Sequence, residues 1–158
     1  IGRKFLLKII TIFLLGICFF CGNAFSQDAE NIIKYRKYIM KALGNHISII
    51  ASNLKGKVEI NSDILPHSKA LFITLAAIDI NKTFPEGTSN SSGLNTKSLP
   101  NIWQEKQSFE KSMLDSTQKA KDLVVVAESN DRKAIGKALG ALGKTCGSCH
   151  NKFREKKN

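Results

Sequence analysis

The segment Cys146-Gly147-Ser148-Cys149-His150 constrains this chain more than any other stretch. It lies within a region that reads as helix, and on a helix positions i and i+3 share a face with i+4 beside them. Two thiols and an imidazole are therefore presented together. That spacing lets the thiols add to two vinyl groups on one edge of a haem while the imidazole reaches the iron. C-x-x-C-H is the covalent attachment signature of c-type haem.

Other uses of the same residues fit less well. A zinc site would take the two cysteines as half a set, and His46, His67 and His150 form no second paired motif. A thioredoxin-like redox pair normally follows a strand, and no strand pattern precedes this one. A disulfide inside a helix constrains little and leaves His150 without a role.

The first 26 residues have a different character. Arg3, Lys4 and Lys8 give a basic start, an apolar run from Phe5 to Phe20 follows, and Ala24-Phe25-Ser26 ends it near small residues. This is the pattern of a secretory leader, cleaved to leave a domain at 27–158. The alternative is a retained anchor, for which the run from Ile9 to Cys21 is short. Export implies a periplasmic location. The segment from 27 onward has 21 basic and 13 acidic residues, a charge of +8, and keeps only Cys146 and Cys149 of the four cysteines. Its seven aromatic residues are few for a core of that size, which points to another group filling the middle.

Periodicity is helical throughout. Ile32, Arg36, Met40, Leu43, Ile47, Ile50 and Leu54 form one stripe on a helix over about 28–55, ended by Gly56. Asn61-Ser62-Asp63 offers caps for a second helix, with Pro66 in its first turn and Leu71, Leu75 and Ile78 on one side. Residues 81–100 form a long loop, structured as a crossover or functional in its own right. A third helix over about 101–129 carries Ile102, Phe109, Met113, Leu114, Ala120 and Leu123 as apolar positions. Asn130-Asp131 turns the chain into a fourth helix, about 131–156. The expected fold is all-α, an antiparallel four-helix bundle around a covalently bound haem.

Gly136, Gly140, Gly143 and Gly147 all lie in the fourth helix. Each costs roughly 1 kcal/mol relative to Ala in a helix interior. Their spacing makes a smooth face, suited to a porphyrin or to another helix.

With these residues assembled, the chain resembles the class II c-type cytochromes, the cytochrome c prime family. The resemblance rests on Lys34-Tyr35-Arg36 followed by Met40, Leu54-Lys55-Gly56, Phe84-Pro85-Glu86-Gly87-Thr88, Pro100-Asn101-Ile102-Trp103, Gly143-Lys144-Thr145-Cys146, Cys149-His150 and Phe153-Arg154. The resemblance implies haem thioethers at Cys146 and Cys149 and His150 as the proximal iron ligand. It implies Arg154 beside the proximal face and Arg36 near the haem propionates, where a planar cation suits a carboxylate. Met40 takes the distal position. Ligation there makes the haem six-coordinate and low-spin, an electron carrier of raised potential. Packing alone leaves it five-coordinate and high-spin, able to bind nitric oxide or carbon monoxide. Both outcomes occur in the family, and ligation is the favoured expectation. His46 points about 120° from the haem stripe by helical geometry, and His67 reads as a surface residue.

From Arg132 to Asn158 there are eight basic residues and one acidic, a net +7. This basic end reads either as a solvated face or as a docking patch for an acidic redox partner. Export and the lack of a recognition motif argue against nucleic acid. No nucleophile–base pair or metal-hydrolase motif supports an enzyme. A homodimer is common in the family.

Overall fold

The computed structural model describes the backbone of residues 2–156 and the side chains of residues 28–156. The side chains of the expected leader lie outside the described residues. No helix among the described residues is long and apolar enough to cross a membrane.

Four long helices build the fold: α1 (Gly2–Leu54), α2 (Ile64–Ala76), α5 (Lys106–Ala127) and α6 (Arg132–Phe153). Two single-turn helices, α3 (Ile80–Thr83) and α4 (Asn101–Gln104), lie in the connection between α2 and α5. The expected antiparallel four-helix bundle is the fold observed. The stripe on α1 faces inward, with Arg36, Leu43 and Ile50 buried and the other members half-buried. Gly56, at φ 67°, ends α1 as expected. Its amide donates to the Asn53 carbonyl, and that of Lys57 donates to the Ser52 carbonyl, while the last carbonyl, of Leu54, accepts from Arg132 Nη2. Asp131 caps α6 by accepting from the amides of Lys133 and Ala134.

Three local expectations are corrected. Asn61–Asp63 gives no side-chain cap to α2; it forms a 3-10 turn that feeds directly into it. The expected third helix is broken at Glu105, whose backbone (φ −119°, ψ 47°) leaves the helical region between α4 and α5. Glu105 pairs instead with Lys152 of α6. Leu114, counted among the apolar positions, is 68% exposed.

α5 packs closely on α6 and on α2, and α1 packs on α2, but between α1 and α6 packing is sparse. The core runs through Ile50, Leu71, Leu123, Ile135 and Leu142. Toward the other end it is continued by an edge-to-face series, Phe84 against Phe109 at 4.9 Å and Phe109 against Phe153 at 5.2 Å. The open seam between α1 and α6 lies beside that aromatic series.

Candidate haem site

A cavity of about 270 Å³ occupies the seam. α1 contributes Arg36, Lys37, Met40 and Leu43; α6 contributes Cys146, Cys149, His150 and Phe153, followed by Arg154. Phe109, Met113 and Ser116 of α5 form part of the wall, and Thr96, Lys97 and Ser98 of the long connection close one side. All six residues singled out from the sequence therefore line one space.

The helical periods bring them together. Arg36, Met40 and Leu43 are spaced four and three on α1, and Cys146, Cys149 and His150 lie within five residues of α6. Cys146 and Cys149 are free thiols. Burial pushes the Cys149 thiol up to about 11; Cys146 adds to the rise and Arg154 opposes it. Burial likewise raises the Cys146 thiol. Burial, then the charge of Arg154, lowers His150 below the usual imidazole range. The neutral imidazole is the form that coordinates metal.

Arg36 is 3% exposed, a guanidinium deep in the protein. Nη1 donates to Thr88 Oγ1 at 2.9 Å, and Nη2 donates to the Thr88 carbonyl at 2.6 Å and to Thr96 Oγ1 at 2.9 Å. The group lies over the Phe84 ring at 5.0 Å. None of these partners is anionic, and burial lowers its pKa to about 10. A buried cation on a cavity wall with only neutral partners is suited to a carboxylate from the cavity's occupant.

These residues fit a haem c. Two adjacent thiols match two vinyl groups, a neutral imidazole and a thioether match axial positions, and Arg36 matches a propionate. The apolar wall of Leu43, Phe109, Met113 and Phe153 suits the ring.

Two features of the site were not anticipated. The connection after α3 supplies the acceptors for Arg36, and it also pairs with the end of α6. The Leu99 amide donates to the Phe153 carbonyl at 3.0 Å, and the Glu155 amide donates to Lys97 at 2.8 Å, around an antiparallel bridge between Ser98 and Arg154. The sequence signal was the excess length of that loop. The second concerns histidine. His46 does not line the cavity, in keeping with its angle on α1. His67, read as a surface residue, is half-buried, with Nδ1 2.8 Å from His46 Nδ1.

The glycine face packs against no other helix among the described residues. A Cβ at Gly136, Gly140, Gly143 or Gly147 would meet nothing within 4 Å, so none of the four is required by close packing against the described residues.

A family model described as Cytochrome C' matches residues 31–154. The chain is 32% identical over 126 residues to a cytochrome c' of Pararhodospirillum photometricum, covering 80% of this chain and 98% of the relative. It is 30% identical over 129 residues to a cytochrome c' of Rhodospirillum rubrum, covering 82% and 85%. Among solved structures, a cytochrome c' from Thermochromatium tepidum superimposes with a TM-score of 0.72 at 19% identity, covering 81% of this chain and 97% of that one.

Proposed function

The chain belongs to the cytochrome c' family, and from that premise we propose that it is an exported electron carrier with Cys146 and Cys149 holding the haem, His150 proximal and Met40 distal. Family members bind covalent haem c, one per chain, and are electron carriers or gas binders rather than enzymes of the usual kind. The observation that carries the reading is the convergence of Arg36, Met40, Cys146, Cys149, His150 and Arg154 on one cavity.

Bound there, the haem supplies a one-electron iron couple. The residues of the chain anchor, ligate and shield it. Cys146 and Cys149 fix its edge to α6, so the ring cannot dissociate or turn. His150 offers a neutral imidazole from the same helix. Met40 offers a thioether from α1, and a Met/His pair favours the reduced state more than weaker distal ligation does. Arg36 balances a propionate that would otherwise be buried without a counter-charge. The apolar wall keeps water from the ring and limits reorganisation when an electron moves.

The second reading concerns Met40. Its side chain is half-buried, and Met113 provides a second thioether in the wall, so core filling alone also accounts for a methionine here. In that case the iron is five-coordinate and binds nitric oxide or carbon monoxide. One solved neighbour, a mutant cytochrome c prime from Alcaligenes xylosoxidans, is a nitric oxide complex.

The absorbance spectrum of the haem-loaded protein separates the two readings. A low-spin spectrum that turns high-spin in Met40→Ala supports ligation. A high-spin spectrum already present, shifting on addition of nitric oxide, supports the gas binder and removes Met40 from the ligands. Cys146→Ser with Cys149→Ser should abolish haem that survives acid acetone. The basic C-terminal segment is proposed to meet an acidic redox partner. Electron transfer should then slow as ionic strength rises, and a rate independent of salt would exclude that role. Periplasmic export predicts a mature chain beginning near residue 27, read by N-terminal sequencing.

A further inference from the structure

Away from the haem site, two histidines from different helices meet. His46 of α1 and His67 of α2 place their Nδ1 atoms 2.8 Å apart, with ring centres 5.1 Å apart and planes tilted by 43°. Both side chains are half-buried, so the pair is held by the packing of α1 on α2 and still reachable from solvent. As it stands the contact is one N–H···N hydrogen bond, in which the Nδ1–H of one ring donates to Nδ1 of the other.

We propose that His46 and His67 form a second metal site, a bis-imidazole clamp for a divalent transition ion such as Zn²⁺ or Cu²⁺, outside the haem cavity. A tetrahedral ion with bonds of about 2.05 Å sets its two nitrogens about 3.3 Å apart and the ring centres about 5 Å apart. The observed ring centres already have that separation. Loading the site requires the nitrogens to move apart by about half an ångström through ring rotation, with no shift of either helix. The Nδ1 proton of the donor ring passes through water to Nε2 of the same ring, which leaves both rings neutral, and the ion takes its place between the two Nδ1 lone pairs. Among the described residues no third His, Cys, Asp or Glu joins the pair, so water completes the coordination. Two imidazole nitrogens, with water in the other positions, favour Cu²⁺ over Zn²⁺ and disfavour the hard ions Mg²⁺ and Ca²⁺.

The test uses the haem-loaded protein, in which the thiols and His150 are committed to haem. Only three histidines are present in the chain, so His46 and His67 are then the remaining imidazoles. Isothermal titration with Zn²⁺ should give one ion per chain, weakened at least tenfold in both His46→Gln and His67→Gln, with an unchanged haem spectrum showing that each variant is folded. Zn²⁺ should raise the Tm of the unsubstituted protein and not that of the variants, since an ion bound only by the native state stabilises it. A measurement independent of any variant is the electron paramagnetic resonance of one equivalent of added Cu²⁺, which should show two coordinated nitrogens. Absence of stoichiometric Zn²⁺ binding, equal affinity in both variants, or fewer than two nitrogens on Cu²⁺ would overturn the site and leave a plain hydrogen bond.

Discussion

Replacing Arg36 by Met keeps most of the volume and removes the charge and all donors, and two opposed effects decide the outcome. Burial lowers its pKa to about 10, so holding the charge inside costs on the order of 3 kcal/mol, at 1.36 kcal/mol per unit. Against this stand three hydrogen bonds to Thr88 and Thr96, each worth about 1.5–3 kcal/mol for a charged donor. The bonds win. After substitution, Thr88 Oγ1 still donates to the Pro85 carbonyl and Thr96 Oγ1 still accepts from the Ser98 amide. The Thr88 carbonyl loses its Arg36 donor. The expected net loss is about 2–4 kcal/mol, rising toward the upper end where a haem carboxylate also pairs with Arg36. Urea denaturation of the haem-loaded protein measures it. A double-mutant cycle with Thr88→Val should return a coupling of at least about 1 kcal/mol. A loss below about 0.5 kcal/mol, or additivity with Thr88→Val, would show that burial cancels the bonds and that Arg36 does not anchor the connection.

Gly136→Ala and Gly140→Ala should each stabilise the protein by about 0.5–1 kcal/mol, because both are exposed helix-interior positions with open space for a methyl group; a loss in thermal denaturation would mean that something outside this chain covers that face. Asp131→Ala should cost about 1 kcal/mol through the two amides it leaves uncapped at α6, read as a lower urea midpoint. Burial, then the charge of His67, lowers the pKa of His46. Its contribution is therefore fully present above about pH 6.5 and is lost as pH falls through the lowered value. In chelator the urea midpoint should drop below pH 6.5, less steeply in His67→Gln; an equal slope in that variant would refute repulsion between the two rings.

The four long helices and the six cavity residues were legible because each rests on short-range regularity. A stripe spaced three and four on α1 and a five-residue motif on α6 determine which side chains share a face, whatever the neighbours are. What escaped depends on contacts between distant segments. Nothing local marks Thr88 and Thr96 as acceptors for Arg36, 52 and 60 residues away. The break at Glu105 interrupts a stretch whose propensities continue as helix, and Glu105 there meets Lys152 across the bundle. The glycines are the converse case. Their spacing suggests a packed face, but whether a neighbour stands there is a tertiary fact, and among the described residues none approaches. His67 was misread because helix position alone does not reveal that His46 faces it from α1.

The sparse seam between α1 and α6 raises the question of what holds those helices in place where they do not touch. The connection between α2 and α5 provides the link. Its Thr88 and Thr96 bind Arg36 of α1, its Asn95 carbonyl accepts from Lys37 at 2.6 Å, and its residues 97 and 99 pair with 155 and 153 at the end of α6. The loop thus bridges the two walls of the cavity at one edge, in place of direct helix packing. Trp103 secures the same region by donating from Nε1 to the Phe84 carbonyl at 3.0 Å. A haem fixed to α6 and contacted by α1 would supply the remaining tie through the middle of the seam. That division explains the length of the loop: a shorter connection would join α2 to α5 without reaching both α1 and α6. It also explains why the most buried cation of the site sits on α1, where one guanidinium can hold the loop on one side and a carboxylate from the cavity on the other.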